Sequence, residues 1–222
     1  MNKKLDIMAT FKEGFSIGAL NLLSLILVTI LYLITIWIPY INVGTTIAIS
    51  SLPAVLAKGK VIDPLFIFES KYRRNMGEFF ILYALMQLGI LVGLFFLLIP
   101  GLVIAVAWNF AVVLFVDKDL SAIDALHESN RITYGNKWRI FWITMLFVIL
   151  IYVVVGIIMG ICLAIGGDAA IAVGTVLTVI VVIFCVPVAM GLDASMYRQL
   201  TEEPKAEEPQ VEAPATEEPK AE

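Results

Sequence analysis

The sequence predicts an all-α polytopic membrane protein in which six transmembrane helices form three hairpins, with amphipathic helices on the cytoplasmic face. Hydrophobic residues make up 60% of the 222 residues and the mean hydropathy is +0.95, whereas a soluble domain holds about 45–50% apolar residues. The apolar runs at residues 79–98 and 102–116 contain no charge, which is typical of membrane spans. Ile99, Pro100 and Gly101 separate these runs, and a Pro-Gly pair indicates a tight turn between antiparallel helices.

The first hairpin is predicted from residues 15–38 and 43–57, after a short surface helix at residues 2–14. Trp37 and Tyr40 mark the far interface and Pro39 ends the first span. The second span is short and contains Pro53, so it either crosses with a tilt or kink or inserts only partly. Residues 140–164 and 169–192 form the third hairpin.

Two further surface helices are predicted on the cytoplasmic side. Asp63 and Pro64 are a typical helix start for the first, and Ser121 caps a helix at residues 122–134 that stops at Gly135. Basic and aromatic residues beside these helices are candidate contacts with the membrane surface: Lys71, Arg73, Arg74, Lys137, Trp138 and Arg139.

The charge distribution predicts the orientation. With the N-terminus inside, all 15 Lys and Arg residues fall on the cytoplasmic side. The outer connections at residues 39–42, 99–101 and 166–168 carry no basic residue. This asymmetry is the positive-inside rule, so both termini are expected in the cytoplasm.

The chain divides into a membrane domain at residues 1–200 and a tail at residues 201–222. The tail contains eight Glu and two Lys and repeats the heptapeptide TEEPKAE. Such a composition cannot bury a core, so we expect a disordered acidic tail.

Several short motifs resemble those of a prokaryotic multi-pass membrane family. They are Pro100-Gly101 with Trp108, the segment at residues 119–126, the segment Thr133-Tyr-Gly-Asn-Lys-Trp-Arg-Ile-Phe141, and Tyr197-Arg-Gln-Leu200. The family includes the membrane domain that accompanies some glycerophosphodiester phosphodiesterases, together with stand-alone relatives of unknown function. The resemblance covers residues 11–200 and implies a six-helix domain in a prokaryotic inner membrane. Ala107 stands where such proteins often have a basic residue, and the phosphodiesterase barrel is missing.

The sequence offers little catalytic chemistry, so we predict no enzymatic activity, no metal and no cofactor. His127 has no second His or Cys beside it and is expected on the solvated surface. Asp117 and Asp119 have the spacing of a metal-binding pair, but an interface anchor is the favoured interpretation. Cys162 and Cys185 differ in predicted depth by about 18 Å and are expected as free thiols.

Three amides lie inside the predicted spans at similar depths: Asn21, Gln87 and Asn109. An unpaired amide in hydrocarbon costs several kcal/mol, so we expect a polar layer in which Gln87 and Asn109 bond each other. This layer is either interhelical glue or a polar cavity open to the cytoplasm. G-x-x-x-G motifs at Gly89 and Gly93, and at Gly156 and Gly160, predict close helix packing.

The favoured function is that of a non-enzymatic inner-membrane scaffold or accessory subunit. Its expected partners are the lipid bilayer and another membrane or cytoplasmic protein. Nucleic acid is excluded because no basic stripe carries stacking aromatics. The alternative is a transporter or channel-like protein for a small or lipidic solute, and an integral membrane enzyme ranks third.

Overall fold

This computed structural model describes residues 4–59 and 61–202. Within that part every regular element is a helix and no strand occurs. The predicted acidic tail lies almost wholly at residues 203–222, outside the described residues, so its disorder stays a prediction. The elements in chain order are α1 Ile7–Leu20, α2 Leu22–Thr35, α3 Ile41–Ser50, α4 Leu52–Ala57, a 3₁₀ helix Pro64–Phe68, α5 Lys71–Arg74, α6 Met76–Phe96, α7 Leu98–Ala107, α8 Ala111–Asp117, α9 Ala122–Thr133, α10 Lys137–Ile165 and α11 Asp168–Thr201.

Among the described residues, four helical segments are long and apolar enough to cross a membrane: Met76–Phe96, Leu98–Asp117, Lys137–Ile165 and Asp168–Thr201. A fifth is counted if α1 and α2, which are bent by 73° at their junction, form one broken span. Many large apolar side chains on these helices are exposed, which suits surfaces that face lipid. The all-helical class is therefore confirmed for the described residues, with four or five helices that could span a membrane, whereas the six spans in three hairpins stay a prediction.

The N-terminal helix differs from its prediction as a surface helix, because α1 packs along the last third of α11. Gly14 and Gly18 are buried at this crossing. A Cβ at Gly14 would lie 2.9 Å from Leu192 Cα, and one at Gly18 would lie 2.7 Å from Pro187 O. The two glycines let the backbones of α1 and α11 approach closely, a partner that residues 2–14 alone could not reveal.

The turn between α6 and α7 also differs from the prediction. Leu97 is the extended residue between the helices, with φ −159° and ψ 135°, and α7 begins before Pro100. Pro100 is the third residue of α7, where its missing N–H is harmless because the first-turn N–H groups have no intrahelical acceptor. The two helices meet closely at Gly93, where a Cβ would lie 2.8 Å from Gly101 Cα.

The segment after α4 was predicted as one amphipathic helix and is instead two short ones. Asp63 does cap the first, because its Oδ1 accepts from the Leu65 N–H at 3.0 Å. That helix is 3₁₀ and ends at Phe68. Phe66 and Tyr72 are buried in edge-to-face contact, with centroids 6.0 Å apart. The segment therefore contributes to the core.

The fourth apolar run contains a break that the sequence does not announce. Residues Trp108, Asn109 and Phe110 form turns between α7 and α8. Ser129 of α9 stabilises the break, since its Oγ donates to Ala107 O at 2.8 Å and accepts from the Phe110 N–H at 3.3 Å. Helix α9 ends within one residue of its predicted end, but it packs its buried face on the bundle.

The last hairpin is close to its prediction at the outer turn, where Gly166 and Gly167 have φ of +75° and +86°. At the other end α11 continues to Thr201, nine residues beyond the predicted end of the span at Leu192. Pro187 lies inside this helix. Cys162 and Cys185 are both free, as predicted.

Candidate functional site

A cleft of about 290 Å³, named here the α4–α8–α11 cleft, lies where two breaks between helices face α11. Its walls come from the α3–α4 junction, from the α7–α8 break with α8, and from α11. The lining residues are Ile49, Ser50, Pro53, Asn109, Phe110, Val112, Val113, Met190 and Asp193.

Each wall has a local irregularity: two are helix breaks and the third is a proline inside the continuous helix α11. At the α3–α4 junction, Ser51 Oγ donates to Ala48 O at 2.7 Å, and Pro53 supplies no N–H to the helix. At the α7–α8 break, α9 supplies the side-chain bonds described above. In α11, Pro187 removes one backbone donor four residues after Ile183. These irregular segments direct side chains and backbone groups of the turns into the cleft.

The polar groups of the cleft are the hydroxyl of Ser50, the amide of Asn109 and the carboxylate of Asp193. No hydrogen bond or ion pair joins the Asp193 carboxylate to another residue of the described part of the chain. None of the lining residues is Lys, Arg or His. A carboxylate in this position is costly among apolar walls unless a positive group or a proton reaches it.

Other carboxylates on this side of the bundle are paired. Asp117 accepts from Lys58 Nζ at 2.9 Å and from Tyr197 Oη at 2.8 Å. Glu13 forms an ion pair with Arg198 and accepts from Ser195 Oγ at 2.6 Å. These bonds fix the last turns of α11, beyond Asp193, against α1 and α8.

The N-terminal segment is tied to the same end of the bundle through its backbone. Asn136 Oδ1 accepts from the Leu5 N–H at 2.9 Å, and Arg139 Nη1 donates to Leu5 O at 2.6 Å. Gln199 Oε1 accepts from the Asp6 N–H at 3.1 Å. Three side chains thus position a chain segment that has no secondary structure of its own.

The predicted polar layer does not form, because its three amides have different surroundings. Asn21 is 2% exposed and accepts from the Ile62 N–H at 3.1 Å, at the bend between α1 and α2. Gln87 is exposed and donates to Tyr83 Oη, 3.0 Å away on its own helix. Asn109 lines the cleft. Similar depth placed these residues together in the prediction, but depth does not specify the helix face.

In the first group of predicted membrane-surface contacts, two side chains are exposed and one bonds the chain itself. Lys71 and Arg74 have exposed side chains. A hydrogen bond with Glu69 raises the pKa of Lys71. Arg73 differs from the prediction, because its Nη1 donates to Phe68 O at 3.1 Å and its stem packs on Gly44.

The second group is divided in the same way. Trp138 is 69% exposed at the start of α10, as a membrane-interface residue would be. Lys137 Nζ donates to Asn130 Oδ1 at 2.8 Å. Arg139 instead holds the backbone of Leu5, so the structure assigns it a positioning role within the chain.

Helix α9 carries a charged cluster on its outer face. A hydrogen bond from Arg131 and another from Lys118 lower the pKa of Glu128 to about 2. His127 is exposed on the same helix. Within residues 4–59 and 61–202, no group of three or more His, Cys, Asp or Glu side chains could hold a metal ion.

Asp193 is not among the predicted site residues, because the predicted sixth span ends at Leu192. The signal was present, since apolar residues Met190 and Leu192 flank Gly191 directly before it and Ala194 follows. Ending a span at its first charged residue removed that residue from consideration.

No family model, curated protein or solved structure matches this chain.

Proposed function

We propose that this protein is a non-enzymatic integral membrane protein that takes up a small or lipidic amphiphile in the α4–α8–α11 cleft and moves it across or within the bilayer. The observation that carries the proposal is the Asp193 carboxylate, which has no partner among residues 4–59 and 61–202, in a cleft between two helix breaks and α11. This transporter-like function is favoured over the scaffold function because the amphipathic helix α9 packs its buried face on its own bundle.

General membrane-protein physics supports this choice. Irregular backbone at membrane depth is tolerated where it is buried in protein or lines a cavity. Transporters place their substrate sites at such discontinuous helices. An ionisable residue within a spanning helix usually marks a pathway or a ligand site. Asn109 and Asp193 lie together at one site of this kind.

The proposal includes six membrane crossings in three hairpins, with α1–α2 and α3–α4 as two broken crossings. Both termini lie in the cytoplasm of a prokaryotic cell, at its inner membrane. The support is the absence of Lys and Arg from the outer connections together with the family resemblance. The oligomeric state is not part of the proposal.

The test is redistribution of fluorescent amphiphiles in proteoliposomes that contain the full chain. We expect protein-dependent transfer, and we expect Asn109→Leu to reduce it at least fivefold because the amide is replaced by an apolar group of similar size. Gln87→Leu is the matched control, since Gln87 is exposed and bonds only Tyr83. Equal transfer of every amphiphile in protein-free vesicles and in vesicles that contain the protein would refute the proposal.

A scaffold or accessory role is the second candidate, and one observation favours it. A Cβ at Gly156 or Gly160 of α10 would meet nothing within 4 Å, so this G-x-x-x-G face is open. In membranes such faces pack on another helix. The substitution Gly160→Ile should abolish co-purification of a membrane partner without affecting amphiphile transfer, whereas Ile158→Leu on the opposite face should preserve co-purification.

A further inference from the structure

We propose that the amphiphile bound in the α4–α8–α11 cleft carries a positive charge, as an amine or quaternary ammonium group, and that Asp193 is its counter-ion. This inference rests on the proposed function, because it names the chemical class of solute for the same site.

The charge of the cleft supports a cationic ligand. Its polar atoms are a carboxylate, an amide and a hydroxyl, and no basic residue lines it. Three of the partly buried or shielded carboxylates elsewhere in the described part, on Glu13, Asp117 and Glu128, each have a cationic partner. Asp193 differs from them in having none, so a positive ligand group would complete a pairing that the chain itself provides at the other sites.

A second polar cleft provides an internal comparison. It has a volume of about 330 Å³ and lies on the other side of the α4–α8 contact, with Lys58, Lys71 and Arg74 in its walls. Its carboxylates, Asp117 and Asp119, are bonded to Lys58 and to Arg74. In that cleft each carboxylate has a cationic partner, whereas Asp193 has none among residues 4–59 and 61–202.

The walls of the Asp193 cleft suit the apolar part of an amphiphile. Val112 and Met190 supply aliphatic and thioether surface to the cleft, and the buried Phe110 and Val113 lie behind it. At about 290 Å³ the cleft is at the lower limit of pockets that hold drug-sized ligands. It therefore accommodates an ammonium head with a short alkyl portion, while a longer chain remains among the apolar helices.

Pairing gives the expected selectivity. A cation that meets Asp193 in low-dielectric surroundings gains attraction that a neutral amphiphile of equal length lacks. An anion meets repulsion. We therefore expect decyltrimethylammonium to bind at least tenfold more tightly than decanol, and decanoate to bind most weakly.

The experiment measures binding of these three chain-matched probes to the full-length protein in nanodiscs made of uncharged lipid. Trp108, which directly precedes Asn109, reports binding by fluorescence after Trp37, Trp138 and Trp142 are replaced with Phe. Asp193→Asn should remove the cation preference and leave decanol affinity unchanged. Asp168→Asn, at the other end of α11, should still bind decyltrimethylammonium at least tenfold more tightly than decanol.

A second variant covers the case in which Asp193→Asn fails to fold. Ser50→Lys places a cation in the cleft, where it pairs with Asp193, so it should also abolish the preference. Equal affinity for decyltrimethylammonium and decanol, with both lost in Asn109→Leu, would overturn this inference and leave the proposed function intact. Decanol affinity that changes with pH only when Asp193 is present would show that a proton neutralises it, which also refutes the inference. Failure of all three probes to bind would count against both proposals.

Discussion

Gly18 lies at the crossing of α1 and α11, and its replacement by alanine should lower the free energy of unfolding. An ideal Cβ at this position falls 2.7 Å from Pro187 O, 3.0 Å from Pro187 C and 3.1 Å from Val188 Cα. These are backbone atoms, so no side-chain rotation can relieve the contact. The closest approach is 0.7 Å short of the 3.4 Å at which ordinary contact begins, and the two helices must separate to admit a methyl group.

Two opposing terms set the magnitude. Overpacking of this kind costs about 1–3 kcal/mol, while alanine in a helix recovers up to about 1 kcal/mol relative to glycine. We therefore expect Gly18→Ala to destabilise the protein by about 1–2 kcal/mol. Gly156→Ala is the matched control, because nothing lies within 4 Å of its Cβ. The control retains the alanine gain alone and should be neutral or slightly stabilising.

The assay is a denaturant titration in mixed micelles, followed by the helical circular dichroism signal, with the midpoint compared among the wild type and both variants. The reasoning fails if Gly18→Ala unfolds at the same denaturant concentration as Gly156→Ala. That result would mean that α1 does not pack on α11 as the glycines require. The hydrogen bonds from Ser195 to Glu13 and from the Asp6 N–H to Gln199 would then need a different explanation.

Three further predictions test other parts of the chain. Acidification should destabilise the fold through Glu128, whose pKa is lowered to about 2 from 4.5. This stabilisation is complete above pH 4.5 and is lost as the pH falls towards 2. The partners of Glu128 are exposed, so its ion pairs stabilise the fold by only about 1 kcal/mol. Glu128→Gln should remove this pH dependence of the unfolding midpoint. A double-mutant cycle of Gln87→Leu with Tyr83→Phe should give a coupling of about 0.6 kcal/mol, and zero coupling would exclude their hydrogen bond. In a cysteine-free background, an impermeant thiol reagent should label a cysteine at Gly167 in intact cells but not one at Ser121, and the reverse pattern would overturn the orientation.

The sequence predicted those features that depend on local chemistry. Ser121 caps α9 through the bond from the Asp124 N–H, at 3.2 Å, because a short hydroxyl side chain reaches that donor wherever a helix begins. Gly166 and Gly167 adopt positive φ, which only glycine tolerates readily. The long apolar helices follow from composition and length. None of these features needs information from distant residues.

The features that could not be predicted depend on distant partners. The break between α7 and α8, at residues 108–110, has neither Pro nor Gly. It forms because Ser129 bonds two backbone groups, Ala107 O and the Phe110 N–H. The two G-x-x-x-G motifs are identical in spacing, but a Cβ at Gly93 would collide with Gly101, whereas one at Gly156 would meet no other described segment within 4 Å. A motif states that close approach is possible. Which helix face meets a partner is decided by the whole bundle.

Several side chains at one end of the bundle have positioning roles within the chain. Asn136 and Arg139 hold the backbone of Leu5, and Tyr197 bonds Asp117. These bonds fix the N-terminus and the end of α11, and thereby the wall that carries Asp193. Asp193 takes no part in these bonds. A chain could therefore keep this framework and bind a different solute, so the framework constrains the shape of the cleft far more than its ligand. The ligand must be inferred from the charge and the size of the cleft itself.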